Sequence, residues 1–137
     1  MTPERHAWYL VASPPATPTP WQVALVRQMA HDCAAAGLKL PRRFVVRWRQ
    51  GVLGDERAEG CVDRSGEDIV VYLRVDAWNL ARTMAHELYH VHATLTGARD
   101  SMTEEQEEHA ARVFADEMLL GPRLSAGRRC DDVYDVH

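Results

Sequence analysis

The sequence is short of the features that would place it in a membrane, in an oxidising compartment or on nucleic acid. It has no apolar run approaching the ~20 residues that a spanning helix requires. Met1 to His6 carries a single arginine and runs into prolines, not into the apolar stretch of a secretory signal. Its three cysteines, Cys33, Cys61 and Cys130, are odd in number, widely spaced and without a CxxC pair. That excludes a disulfide framework and a thiolate zinc site, and three reduced thiols in a cytoplasmic protein are expected. There is no basic excess either: 16 Lys and Arg stand against 20 Asp and Glu, for a net charge of −4. The densest basic group, Arg42, Arg43, Arg47 and Arg49, alternates with apolar residues, as one solvated face of a strand does. No nucleic-acid partner is expected. Internal repeats and a second compositional region are also missing. The 137 residues fit one domain spanning 1–137, with a core over about 21–122, a Pro-rich lead-in over 1–20 and a loose polar tail over 123–137.

What is present alternates between helical and strand patterns. Four prolines lie between Ser13 and Pro20 and stiffen the lead-in. Val23, Val26, Ala30 and Cys33 recur at helical spacing, so Trp21 to Ala36 is predicted as a helix that Pro20 starts and Gly37 stops. Phe44 to Trp48 reads as a strand and Gly60 to Asp63 as a short one. The breakers Gly51 and Gly54 mark a loop between them. Ile69 to Leu73, apolar on both faces, is predicted as a buried strand. Asp76 is the expected N-cap of a long helix reaching Thr96 and closed by Gly97. Leu80, Met84, Leu88, Val91 and Leu95 form its core stripe. Thr103 and Gln106 make a capping-box pattern for a further helix that runs to about Leu120 and stops at Gly121-Pro122.

One string carries chemistry. His86-Glu87-Leu88-Tyr89-His90 is an HExxH motif inside the longest predicted helix. Histidines four apart project from one helical face and reach one metal ion, zinc by preference for nitrogen ligands. Glu87, about 100° around the helix from His86, lies beside the metal, where its carboxylate can take a proton from metal-bound water. The pair sits roughly 140° from the centre of the leucine stripe at the same period, away from the core.

A catalytic zinc site needs a third protein ligand and an open position for water. The start of the following helix offers Glu104, Glu105, Glu107, Glu108 and His109. Glu108 shares a face with the small residues Ala111 and Ala115 and with Met118, which would let the two helices approach closely. It is the preferred third ligand, with Glu107 and His109 as alternatives. For the oxyanion, His92, Tyr72, Tyr89 and Tyr134 are candidates that spacing does not distinguish.

The order of elements, and the string Glu108-His109-Ala110-Ala111-Arg112-Val113-Phe114-Ala115 with Leu119-Leu120-Gly121-Pro122 after it, resembles the minimal gluzincin peptidases of the ImmA/IrrE type. Their pattern is HExxH followed by Glu-x-x-Ala-Asn-x-Phe-Ala. The likeness spans about 21–122 and is specific over 86–122. It implies an α+β, zincin-like fold: an N-terminal helix, a small mixed or antiparallel sheet, the HExxH helix and a third-ligand helix. It also implies Zn2+ held by His86, His90 and Glu108, with Glu87 as the base of a zinc metalloendopeptidase. The implied substrate is a protein or peptide, such as a cytoplasmic, phage or mobile-element regulator. Arg112 stands where that family has an Asn that supports the zinc histidines. The departure keeps open a second reading, a zinc-binding regulatory or interaction module with little proteolytic activity.

Overall fold

The computed structural model describes residues 15–51, 58–120 and, in backbone, 135–136. It is an α+β arrangement of three helices and a small mixed sheet. In chain order the elements are α1 (Pro20–Ala35), β1 (Val45–Arg49), β2 (Gly60–Asp63), β3 (Val70–Arg74), α2 (Leu80–Thr96), a short 3-10 turn (Ala98–Ser101), α3 (Glu104–Leu120) and β4 (Asp135–Val136). The sheet order is β2-β3-β1-β4. β3 runs parallel to β1 and antiparallel to β2, which puts it between two strands, as its two-sided apolar pattern predicts. β2 lies at one margin of the sheet. At the other, Asp135–Val136 pairs in parallel with Val45 and Val46, so this part of the C-terminal segment is not the loose tail expected from its polarity. The Gly54 breaker, Cys130, Tyr134, the Gly121-Pro122 stop and most of the lead-in lie outside the described residues. Among the described residues, no helix is long and apolar enough to cross a membrane.

Strand alternation sorts the side chains. Phe44 just before β1, Val46 and Trp48 of β1, Val62 of β2 and Val71 and Leu73 of β3 face one core. That core also takes Val26, Met29, Ala30 and Cys33 from α1 and Leu80, Met84, Leu88 and Val91 from α2. Arg42, Arg43 and Arg47 are exposed, and the Arg49 guanidinium lies 4.9 Å over the Tyr72 ring, a cation–π contact. Only Arg47 and Arg49 of this group lie on the strand; Arg42 and Arg43 precede it. Leu95, expected in the core stripe, is 37% exposed, because the helix runs past the sheet before its last turn.

Caps fix the helix ends. Thr19 and Gln22 bond reciprocally at the start of α1, with Pro20 at its first position. Thr103 and Gln106 do the same at the start of α3, at 2.8 and 3.1 Å. The cap of α2 is Asn79, whose side chain accepts from the Arg82 N–H at 3.1 Å, and not Asp76. The Asp76 carboxylate is taken up by the Arg74 guanidinium through two 2.9 Å bonds, so the chain turns three residues further before it coils. Gly97, at φ 78°, occupies the left-handed position that ends α2.

Candidate metal centre

α3 packs on α2, and its buried face is Glu107, Ala111, Ala115 and Met118, with steps of four, four and three. The face expected from spacing, Glu108 with Ala111, Ala115 and Met118, differs from this only in its first residue: Glu107, about 100° around the helix from Glu108, is the glutamate buried with the alanines. Glu107 enters the interior and Glu108 stands at the rim, facing both histidines.

At the rim, Glu108 Oε1 lies 3.1 Å from His86 Nε2 and Glu108 Oε2 lies 3.0 Å from His90 Nε2. One ligand-type atom from each of the three residues falls within 4.8 Å of the others. Two imidazole nitrogens and one carboxylate are a donor set of the kind that zinc takes, and this cluster could hold a metal ion. The two histidine rings meet edge-on, with centroids 5.1 Å apart. His109, the all-histidine alternative, is exposed and outside the cluster. Arg112 points its guanidinium at Glu108 from 3.6 Å and is about half exposed.

The residue that orients the site is Glu107. Its Oε2 is 2.6 Å from His90 Nδ1, and both groups are buried. A carboxylate can only accept, so Nδ1 carries the proton and Nε2 is turned towards Glu108. Ligating histidines characteristically hold a carboxylate or carbonyl at their second nitrogen in this way. Burial by itself lowers the His90 pKa, but the bonds to Glu107 and Glu108 outweigh it and raise the pKa to about 9. Glu107 is held below the usual carboxylate range, first by its bond to His90 and then by the charges of His90, Arg64 and Arg99, against the cost of burial. Glu108 is held well below it by its bonds to His86 and His90.

Glu87 is buried at the floor of a cleft of about 150 Å³. Burial foremost raises its pKa, and the Glu108 charge adds to this, against the pull of His90, His86 and Arg64. Gly60 of β2 makes room for it. A Cβ there would stand 3.0 Å from Glu87 Cγ, 2.9 Å from Thr83 Cγ2 and 3.1 Å from the Tyr72 carbonyl. Gly60→Ala is therefore expected to cost about 1–3 kcal/mol of stability through overpacking. Urea unfolding measures this, and an unchanged midpoint would mean that Glu87 moves aside freely. Cys61, also on the cleft wall, has its thiol pushed far up by burial and by the Glu87 and Asp63 charges. It stays neutral and is no nucleophile.

The oxyanion candidates do not gather here. His92 accepts from the Lys39 N–H at 2.8 Å, Tyr89 stacks with His92 and Phe114, and Tyr72 lies under Arg49. Tyr134 is outside the described residues. The cationic donors that do line the cleft are Arg64 and Arg99, from the turn after β2 and from the 3-10 turn. Sequence spacing gave no signal for either. Comparisons of the chain with protein families, with curated proteins and with solved structures return no match.

Proposed function

We propose that the protein is a zinc-dependent metallopeptidase acting on peptide or protein substrates. The observation that carries this reading is the convergence of His86, His90 and Glu108 beside a buried carboxylate, Glu87, that among the described residues belongs to neither an ion pair nor the ligand cluster. A site built only to hold a metal has no use for that carboxylate.

His86, His90 and Glu108 would hold the ion, with His90 fixed in the required tautomer by Glu107. Zinc bound there supplies Lewis-acid polarisation of the scissile carbonyl and lowers the pKa of a coordinated water to about 7. Glu87 accepts a proton from the attacking water and delivers it to the leaving amine. Its raised pKa suits that exchange, because a proton carrier works best with a pKa near the operating pH. β2, at the margin of the sheet and on the cleft wall through Gly60, Cys61 and Val62, is placed to align an extended substrate by strand addition.

The test couples metal to activity. Purified protein is expected to carry about one zinc per chain and to cleave an unbiased peptide mixture. Chelation should stop cleavage and zinc should restore it. Glu108→Ala should lose the metal in the same preparation. Cleavage that survives complete chelation would overturn the proposal.

A further inference from the structure

Among the described residues, two guanidiniums beside the proposed metal ligands have unused donors. Arg64 NH2 is 3.6 Å and Arg99 Nε 3.8 Å from the Glu107 carboxylate. Both distances lie outside hydrogen-bond range. Glu107 is already committed to His90 at 2.6 Å, so neither arginine forms the two-bond fork that a guanidinium makes with a carboxylate. The Arg64 side chain is only 13% exposed, and its Nε is buried with no hydrogen-bond partner among the described residues. Burial and the nearby Arg99 charge lower the Arg64 pKa, against Glu107, Glu87 and Asp63. Both side chains line the same cleft as Glu87 and His90.

From these observations we propose that Arg64 and Arg99 form a carboxylate-binding subsite next to the metal ligands. On the peptidase reading, on which this rests, the preferred substrates carry a carboxylate close to the bond to be cut. Arg64 is one carboxylate removed from His90. An extended peptide advances about 3.3 Å per residue, so the recognised group lies one or two residues from that bond. It is either an acidic side chain or the free C-terminus. The turn that follows β2 carries Arg64, so a peptide laid along β2 runs towards it.

The first test needs neither zinc nor catalysis. Succinate is titrated into the metal-free full chain while the Arg64 and Arg99 Nε–H signals are followed by NMR, with neutral succinamide as control. Succinate should shift both signals and succinamide neither. Arg99→Gln should weaken succinate binding at least about tenfold, the usual value of a hydrogen bond to a charged group. Arg64 is buried and its Gln variant could misfold, so Arg64→Lys is its partner test, keeping the charge but losing the fork. Absence of shifts, equal shifts with succinamide, or unchanged affinity in Arg99→Gln overturns the subsite.

The second test identifies the source of the carboxylate. Zinc-loaded protein is assayed on peptide pairs that differ by Glu against Gln near the cut, or by a free against an amidated C-terminus. The dominant pair names the source. Cleavage indifferent to both overturns the proposal, as does an Arg99→Gln loss equal for acidic and neutral peptides, the mark of an oxyanion role. If nothing is cleaved yet succinate binds as described, the peptidase reading fails and the anion subsite stands.

Discussion

Replacing Glu87 by Gln should leave the zinc content of the protein unchanged and lower peptide hydrolysis by about 10²–10⁴-fold, the usual contribution of a positioned acid–base group. The amide fills the space that Gly60 leaves for the carboxylate but cannot carry a proton between water and amine. Glu87 lies outside the His86, His90 and Glu108 cluster, so the ion keeps its ligands. Metal analysis and turnover on one preparation decide the matter. A variant that keeps more than a tenth of the activity would remove Glu87 from the chemistry. If substituted and unsubstituted proteins both bind zinc and neither cleaves, the chain is a metal-binding interaction module.

The second large effect is expected at Glu107. Glu107→Gln keeps an acceptor for His90 Nδ1 but removes the negative charge that stabilises it and faces two arginines. Zinc affinity should fall about 10–100-fold, as for other groups that orient a ligating histidine. The metal-free protein should change in its response to pH. Glu107, whose folded pKa is depressed, adds stability above the ordinary carboxylate pKa of about 4.3, and that stability is lost as pH falls. His90, raised to about 9, adds stability that is complete below the ordinary imidazole pKa of about 6.5 and is lost as pH rises through 9. The pair thus stabilises the metal-free chain most between these ordinary values. Urea unfolding at pH 5.5 and at pH 9.5 measures the difference, which Glu107→Gln should flatten. A pH response identical in the two proteins would detach Glu107 from His90.

The parts of this centre that lie within one helix are legible from sequence. His86, Glu87 and His90 are related by helical period alone, and their placement away from the leucine stripe follows from the same period. The Thr103–Gln106 box and the Gly97 stop are local rules that operate as local rules. What escaped depends on how elements meet. Glu107 and Glu108 are neighbours in a run of acids, and only the rotation of α3 on α2 decides which one is buried. Asp76 and Asn79 are both good caps, and the choice turned on Arg74 capturing Asp76. Arg64 and Arg99 come from two turns 35 positions apart and have no common pattern. They converge only because β2 and the 3-10 turn border one cleft. Arg112 gave no hint of a support for His90, and that support comes from Glu107, five residues earlier on the same helix.

Ala111 and Ala115 are fully buried between the two helices and touch none of the chemistry. Helix axes lie about 8 Å apart across small residues and about 10 Å across large ones, whereas a metal site tolerates ligand displacements of about 0.2 Å. The two methyl groups therefore act as a gauge block whose thickness sets the reach of Glu108. On the metal reading, a larger side chain at either position should push the helices apart and draw Glu108 away from His86 and His90. The hold on an ion would thus be set from positions that never approach it.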